Sequence, residues 1–141
     1  MKKTSIFLIG FIIIFLLLKV DSESIYNILY KINKVEEKAL NGDKKAIGKA
    51  FMYYIFETHQ YKKGELFFRN LEKQGVSIET SRGYLGLILV NTLPQNRKRY
   101  IEGLACLKQS GNNNKKIFQK ELREPRFNID NLNIENYRCN K

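Results

Sequence analysis

The chain has 141 residues, of which 43% are hydrophobic, and a formal net charge of +11 at pH 7. This length suits one domain and is short for two. The positive charge favours acidic partners, and the two cysteines and single histidine show no metal-ligand spacing, which excludes a Cys/His metal site.

The N-terminus has the pattern of a bacterial secretory signal: two lysines, an apolar run from Ile6 to Leu18, and then polar residues. The run is shorter than the roughly 20 residues that span a bilayer. Val20 and Ser22 fit the −3 and −1 positions of a cleavage site, so residues 1–22 are predicted to be a signal peptide, with an uncleaved anchor as the alternative. Either interpretation places the rest in the periplasm or outside the cell. Removal of the signal lowers the formal charge to +9, because it takes three lysines and one aspartate.

About six helices are predicted in a domain of residues 23–123. The first has apolar residues at steps of three and four from Ile25 to Leu40. Asp43 caps the second helix, which extends to an interruption at Thr58 to Gln60. The third runs from Tyr61 to Gln74.

The fourth helix is capped by Ser77 and contains the buried segment from Tyr84 to Val90. The fifth runs from Arg97 to Gln109, and a shorter sixth helix follows. Residues 124–141 form an irregular tail that is rich in Asn and Asp. Because no strand pattern precedes this tail, the sequence predicts an all-α fold.

Cys106 and Cys139 both lie in the exported part of the chain. An even number of cysteines in an oxidising compartment predicts a disulfide, which would close a loop of about 33 residues and stabilise the fold by roughly 3–4 kcal/mol. The alternative is a buried thiol at Cys106 and a free one at Cys139.

Two segments match at an offset of 36 residues. "FFRNLEKQG" ends at Gly75 and "GLACLKQSG" ends at Gly111, and the same offset places Ala50 on Gly86. Helices two and three therefore correspond in order and length to helices four and five. A period of 34 to 40 residues with two helices per unit is typical of helical-hairpin repeats, whose small residues let paired helices approach closely.

The chain resembles tetratricopeptide-like repeats, especially the SEL-like subfamily. "GDKKA" from Gly42, "MYYIF" from Met52, "YKKG" from Tyr61 and "LEKQG" from Leu71 fit the first unit. The second unit lacks the opening Gly-Asp and keeps only the end of its second helix. The resemblance implies a short right-handed array of hairpins with a concave binding face. In size and export the chain also resembles periplasmic immunity proteins, which neutralise effectors of secretion systems such as type VI.

No catalytic constellation or cofactor-binding motif is found, so the sequence predicts a non-enzymatic protein without a cofactor. Export argues against nucleic acid, and a protein is the expected partner. Seven aromatic rings crowd between Phe51 and Phe68, which predicts that some are exposed. A basic cluster opens the fifth helix, where positive charge opposes the helix dipole. The candidate contact residues are Tyr53, Phe56, Phe68, Arg97, Lys98 and Arg99.

Three functions are consistent with these patterns. The first is a periplasmic immunity or inhibitor protein that occludes a secreted antibacterial effector. The second is a structural or assembly adaptor of the envelope, in contact with the membrane only through an uncleaved N-terminal segment. The third is a binder of membrane surfaces or anionic polymers, driven by the net charge.

Overall fold

The computed structural model describes residues 22–32, 34–92, 95–130 and 132–140. The predicted signal segment up to residue 21 lies outside the described residues. The chain divides into two compact units, Met1–Asn33 and Lys34–Lys141. In the described ranges every regular element is helical, which confirms the all-α class.

The first unit is described through helix α1, Ser22–Ile32. Its apolar side chains are largely exposed: Ile28 is 55% and Leu29 50% accessible. The sequence predicts one helix through this segment to Leu40, and this prediction is wrong. α1 ends at Ile32, and Lys34 adopts a left-handed conformation with φ 49° before the next helix begins.

The second unit contains the remaining helices. They are α2 (Val35–Leu40), α3 (Lys44–Met52), a π-helix (Tyr53–Glu57), α4 (Tyr61–Lys73), α5 (Ile78–Asn91), α6 (Arg97–Gln109), α7 (Lys115–Arg123) and 3-10 turns at Asn112–Asn114 and Ile134–Asn136. α5 is central, because it packs most extensively against α6 and also packs against α4. Its residues Leu85, Ile88 and Leu89 are almost completely buried.

The helix boundaries follow local sequence signals. The side chain of Asp43 accepts hydrogen bonds from Lys45 N at 2.8 Å and Ala46 N at 3.1 Å, which confirms the predicted cap of α3. Ser77 precedes α5, but its side chain makes no cap hydrogen bond. Instead its hydroxyl donates to the carbonyl oxygen of Gly42 at 3.1 Å, so the cap predicted at Ser77 is wrong.

α5 and α6 cross at a pair of glycines. A Cβ atom added to Gly86 would lie 2.9 Å from the backbone nitrogen of Leu107 and 3.0 Å from the carbonyl oxygen of Gly103. A Cβ on Gly103 would lie 2.7 Å from Cγ1 of Val90. Gly86, the small residue predicted to let the two helices of this hairpin approach closely, therefore lies at their crossing. The facing helix, α6, contributes a second glycine, Gly103.

The C-terminal tail belongs to the core of the second unit. Cys106 and Cys139 form a disulfide with Cα atoms 4.5 Å apart, which confirms the predicted bridge. Phe127, Ile129 and Ile134 of the tail pack against buried residues of α5 and α6. Side-chain burial and the disulfide, together with hydrogen bonds such as that of the Arg126 guanidinium to the carbonyl oxygen of Val90 at 2.9 Å, fix the position of this segment.

A network of charged side chains also joins the tail to the helices. Arg69 on α4 donates to both carboxylate oxygens of Glu102 on α6, at 2.6 and 3.0 Å, and to Glu65 at 2.9 Å. Arg99 contacts the other oxygen of Glu65, and Asn140 donates to the carbonyl oxygen of Arg69 at 2.9 Å. Burial raises the pKa of Glu65, but hydrogen bonds from Arg99 and Arg69 outweigh this effect and hold the pKa below its usual value. These groups stabilise the packing of α4 against α6.

Tyr100 on α6 is completely buried beneath α7. Its hydroxyl donates to Oε2 of Glu121 at 2.8 Å, so this carboxylate points into the protein. Burial and the bond to Glu121 raise the pKa of Tyr100 to about 12. The folded state therefore favours the neutral phenol over the charged phenolate.

Tyr100→Phe is expected to make the free energy of unfolding depend less on pH above pH 10. An unfolded tyrosine has a pKa of about 10. The stabilisation from the raised pKa is therefore complete below pH 10 and is lost as the pH rises towards 12. The free energy of unfolding of the wild type, measured with urea, should lose about 2–3 kcal/mol more than that of the variant over this window. The exposed Tyr137, replaced by Phe, is the matched control; parallel pH profiles of wild type and Tyr100→Phe would contradict the assignment.

Candidate functional site

A π-helix shapes the aromatic segment that follows α3. The amide of Thr58 donates to the carbonyl oxygen of Tyr53 at 3.0 Å, an i to i+5 bond that widens the turn. The three consecutive residues Tyr53, Tyr54 and Ile55 are all buried here, and the next residue, Phe56, is 58% exposed. The wide turn thus places one aromatic ring at the surface, directly after three buried residues.

Phe56 rests on other aromatic rings. Its centroid lies 5.8 Å from that of Phe51, in an edge-to-face arrangement. Phe51 in turn contacts Phe68 at 6.1 Å and Tyr84 at 4.5 Å. Aromatic rings at these spacings attract one another beyond the burial of their area. The exposed ring therefore sits on a packed base.

An open groove of about 580 Å³ lies between this aromatic segment and α5. We call it the hairpin groove; it is lined by Phe51, Ile55, Phe56, His59, Tyr61, Leu87, Ile88, Asn91 and Thr92. Five of the nine lining residues are apolar, and the volume is in the range of sites that hold small molecules or several partner side chains.

The polar side chains of the hairpin groove make hydrogen bonds within the chain. Asn91 donates to the carbonyl oxygen of Leu87 at 3.0 Å and accepts from Arg126 at 2.7 Å. The hydroxyl of Thr92 donates to the carbonyl oxygen of Ile88 at 2.7 Å. These bonds leave the groove with a mainly hydrocarbon surface, which suits an apolar side chain better than a polar substrate.

His59 and Tyr61 stand at one end of the hairpin groove. Nδ1 of His59 lies 3.1 Å from the carbonyl oxygen of Ile55 and 3.1 Å from the hydroxyl of Tyr61. His59 has φ 51°, a left-handed conformation that the predicted turn between two helices requires. The side chain of His59 is exposed.

The predicted aromatic contact residues separate into two groups. Phe56 lines the hairpin groove and is exposed, as its role requires. Tyr53 is 7% exposed and Phe68 is completely buried, so neither presents its ring to a partner in this structure. The correction has a physical reason: Phe68 is covered by Tyr84 of α5, with ring centroids 5.6 Å apart, and Tyr53 packs edge-to-face on Tyr54 at 5.2 Å.

The predicted basic cluster also divides. Arg97 and Lys98 are exposed, and Arg97 donates from Nε to the carbonyl oxygen of Asn128 at 3.0 Å. Arg99 points inward, where its guanidinium contacts Glu65 and donates to the hydroxyl of Thr92 at 3.0 Å. Arg99 is therefore a structural residue that joins α6 to α4, and the expectation that it faces a partner is corrected.

Most of the hairpin groove was missed at the level of sequence. Leu87 and Ile88 belong to the predicted buried segment of α5, and nothing in their spacing indicates that their side chains end at an opening. The signal that could have drawn attention to the site is the run of aromatic residues before an unusual turn, with the only histidine of the chain at its end.

No protein-family model, curated protein or solved structure matches the chain. In the part of the chain that the structure describes, no helix is both long and apolar enough to cross a membrane. Within the same residues there is no group of three or more His, Cys, Asp or Glu side chains that could hold a metal ion.

Proposed function

We propose that this protein is a non-enzymatic, exported binding module that accommodates an apolar side chain of a partner protein in the hairpin groove. The observation that carries the proposal is an open, hydrocarbon-lined groove with the exposed ring of Phe56 in its wall. Interfaces of this kind depend on a few apolar anchors that fill pockets. A segment with an aromatic residue or leucine is the occupant that this lining fits.

The finer proposal is a periplasmic immunity or inhibitor protein that covers the active cleft of a secreted antibacterial effector. It is supported by the signal-like N-terminus, the disulfide and the small size of the chain. Inhibition would be steric, with affinity from the apolar anchor and faster encounter from the +9 charge of the exported part.

The SEL-like array remains a proposal. The offset of 36 residues aligns the ends of α4 and α6, and both Gly75 and Gly111 have the positive φ that the comparison requires. The closest helix approaches are not equivalent, however. In the first unit, the close approach is that of Gly64 to Tyr54. In the second unit it is made by Gly103, but the residue 36 positions earlier in the sequence is an aromatic one, Phe67.

An envelope adaptor is the second candidate function. It is favoured by the exposed apolar residues of α1, Ile25 and Ile28 among them, which follow shortly after the apolar run from Ile6 to Leu18. An anchored adaptor keeps Met1 and this run in the mature protein, whereas an inhibitor with a cleaved signal begins near residue 23. The intact mass of the protein recovered from cells separates these candidates.

Cross-linking tests the hairpin groove directly. A photoreactive benzoylphenylalanine replaces Phe56 in the full-length chain, and cells that export it are irradiated. Leu66 is the matched control position, because it is 60% exposed and lies outside the groove. We expect a discrete protein adduct from position 56 that is absent from position 66 and is lost when Leu87→Asp places a charge in the groove.

The partner identified in that way permits an affinity measurement. Phe56→Ser should weaken binding by roughly 30-fold, which corresponds to about 2 kcal/mol for an anchor residue. Leu66→Ser removes a similarly exposed apolar side chain and should change the affinity less than about twofold. Equal losses from both variants, or the same adducts at both positions, would refute a specific role for the groove.

A further inference from the structure

The outward face of α7 is a second feature, separate from the hairpin groove. This helix carries four exposed cations, which we call the α7 ridge: Lys115, Lys116, Lys120 and Arg123. At helical spacing all four lie within about 140° of the helix circumference. None of them forms an ion pair with another described residue.

The one acidic residue of α7 does not balance this charge. Glu121 is 9% exposed and faces the core, where it accepts from Tyr100 and lies 3.6 Å from Arg126. On α4 and α6, by contrast, Arg69 and Arg99 each form an ion pair with a glutamate. The ridge is therefore a concentrated positive surface, and the exposed Glu124 that follows α7 forms no ion pair with it among the described residues.

The charges of the ridge favour the helix only in part. Lys120 and Arg123 lie in the last turn, where positive charge complements the helix dipole, but Lys115 and Lys116 stand in the first turn, where it opposes the dipole. Lys116 and Lys120 are separated by four residues and Lys120 and Arg123 by three, so both pairs repel. Helix stability thus gives no reason for the cations of the first turn, whereas an acidic partner would relieve the repulsion.

An apolar groove of about 400 Å³ runs beside the ridge. Leu107 of α6 and Phe118 and Leu122 of α7 supply its apolar lining, and Lys108 and Lys115 also line it. Leu122 is 38% exposed. The site therefore combines room for an apolar side chain with cations that can meet carboxylates.

We propose that the α7 ridge and this groove dock an acidic protein segment, with carboxylates on the ridge and one apolar side chain against Phe118 and Leu122. A protein segment fits better than a lipid surface for two reasons. A flat bilayer does not fill a concave groove, and the two exposed apolar residues of α7, Ile117 and Leu122, lie about 140° apart around the helix, so they do not form one apolar stripe that inserts into a membrane.

A defined probe tests this inference without the natural partner. The probe is a fluorescent helical peptide of Glu, Ala and Leu with leucines four residues apart, and its binding to the full-length protein is followed by anisotropy. The ridge variant is Lys116→Gln, Lys120→Gln and Arg123→Gln. Its matched control is Lys44→Gln, Lys45→Gln and Lys49→Gln on α3, which removes the same formal charge from exposed positions.

We expect the ridge variant to bind the peptide at least roughly tenfold more weakly and the α3 variant less than about twofold more weakly. Leu122→Ser should also weaken binding, and replacement of Glu by Gln in the peptide should abolish it. Equal losses from the two triple variants would show general charge attraction and overturn the inference. It is also overturned if the peptide shows no saturable binding at low salt, or if vesicles of phosphatidylglycerol or a single-stranded DNA bind the ridge more tightly.

Discussion

Gly86→Ala is expected to lower the free energy of unfolding by about 2–3 kcal/mol, although alanine is the better helix former by about 1 kcal/mol. The new methyl group would lie 2.9 Å from the backbone nitrogen of Leu107 and 2.8 Å from its Cγ atom. A backbone atom cannot rotate away, so α5 and α6 have to separate. The separation would loosen contacts along the central helix pair, including those of Leu89 and Leu104.

Gly48→Ala is the matched control for this prediction. Gly48 also lies within a helix, α3, but an added methyl group would meet only the end of a side chain, the hydroxyl of Tyr84 at 3.1 Å. This contact involves the tip of a side chain and no backbone atom, and a shift of a few tenths of an ångström relieves it, so we expect Gly48→Ala to leave stability unchanged or to raise it slightly. Urea unfolding of both variants supplies the measurement. Equal stability of the two would show that the α5–α6 crossing tolerates a methyl group.

Loss of the disulfide is expected to lower the free energy of unfolding by about 3–4 kcal/mol. The bridge joins residues 33 apart in sequence, so it lowers the conformational entropy of the unfolded chain. It also holds the tail, in which Asn140 bonds to Arg69 and Phe127 packs on Tyr100 with ring centroids 5.4 Å apart. Without the bridge these contacts alone have to order the segment after α7, so the tail should become sensitive to protease.

Cys139→Ala is the informative variant, because it removes the bridge but keeps the completely buried Cys106. No cavity is therefore created at position 106. Reduction of the wild type should reproduce its effect on urea unfolding, and reductant should not alter the variant. Limited proteolysis should cut between residues 124 and 138 in the variant sooner than in the oxidised wild type. An unchanged unfolding midpoint after complete reduction would contradict the prediction.

The two proposed surfaces differ in the chemistry that they offer. The hairpin groove presents hydrocarbon, since polar lining residues such as Asn91 and Thr92 bond within the chain. The α7 ridge presents cations that form no ion pair within the described part of the chain, beside a smaller apolar groove. A partner could engage either surface alone, and the Phe56 and ridge variants test the two independently.

Local patterns in the sequence predict much of the fold. Apolar periodicity indicates α4, α5 and α6 almost to the residue, and the position of Asp43 predicts the start of α3 correctly. These features depend on interactions between residues three or four apart, which a sequence displays directly. Two cysteines allow only one intramolecular pairing, so the even count together with the predicted export indicates the bridge between Cys106 and Cys139.

The sequence predicts part of the candidate site. Phe56 is identified because seven aromatic rings cannot all occupy one helix face, but the same argument also selects Tyr53 and Phe68, which are buried. A π-helix replaces the expected α-helical turn there, and Tyr84 of α5 packs on Phe68. The burial of Phe68 has no local signal, because it depends on a helix that lies later in the chain.

By itself, the sequence determined the helical class, most helix boundaries and the disulfide, because short-range hydrogen bonding and the cysteine count govern these features. Only the tertiary structure decided which charges and rings remain at the surface. Arg99 and Arg123 are chemically alike and both lie on helices, yet Arg99 is half-buried against Glu65 and Arg123 is exposed. The difference lies in the packing of α4 against α6 and of α7 against Tyr100, contacts between residues far apart in the chain.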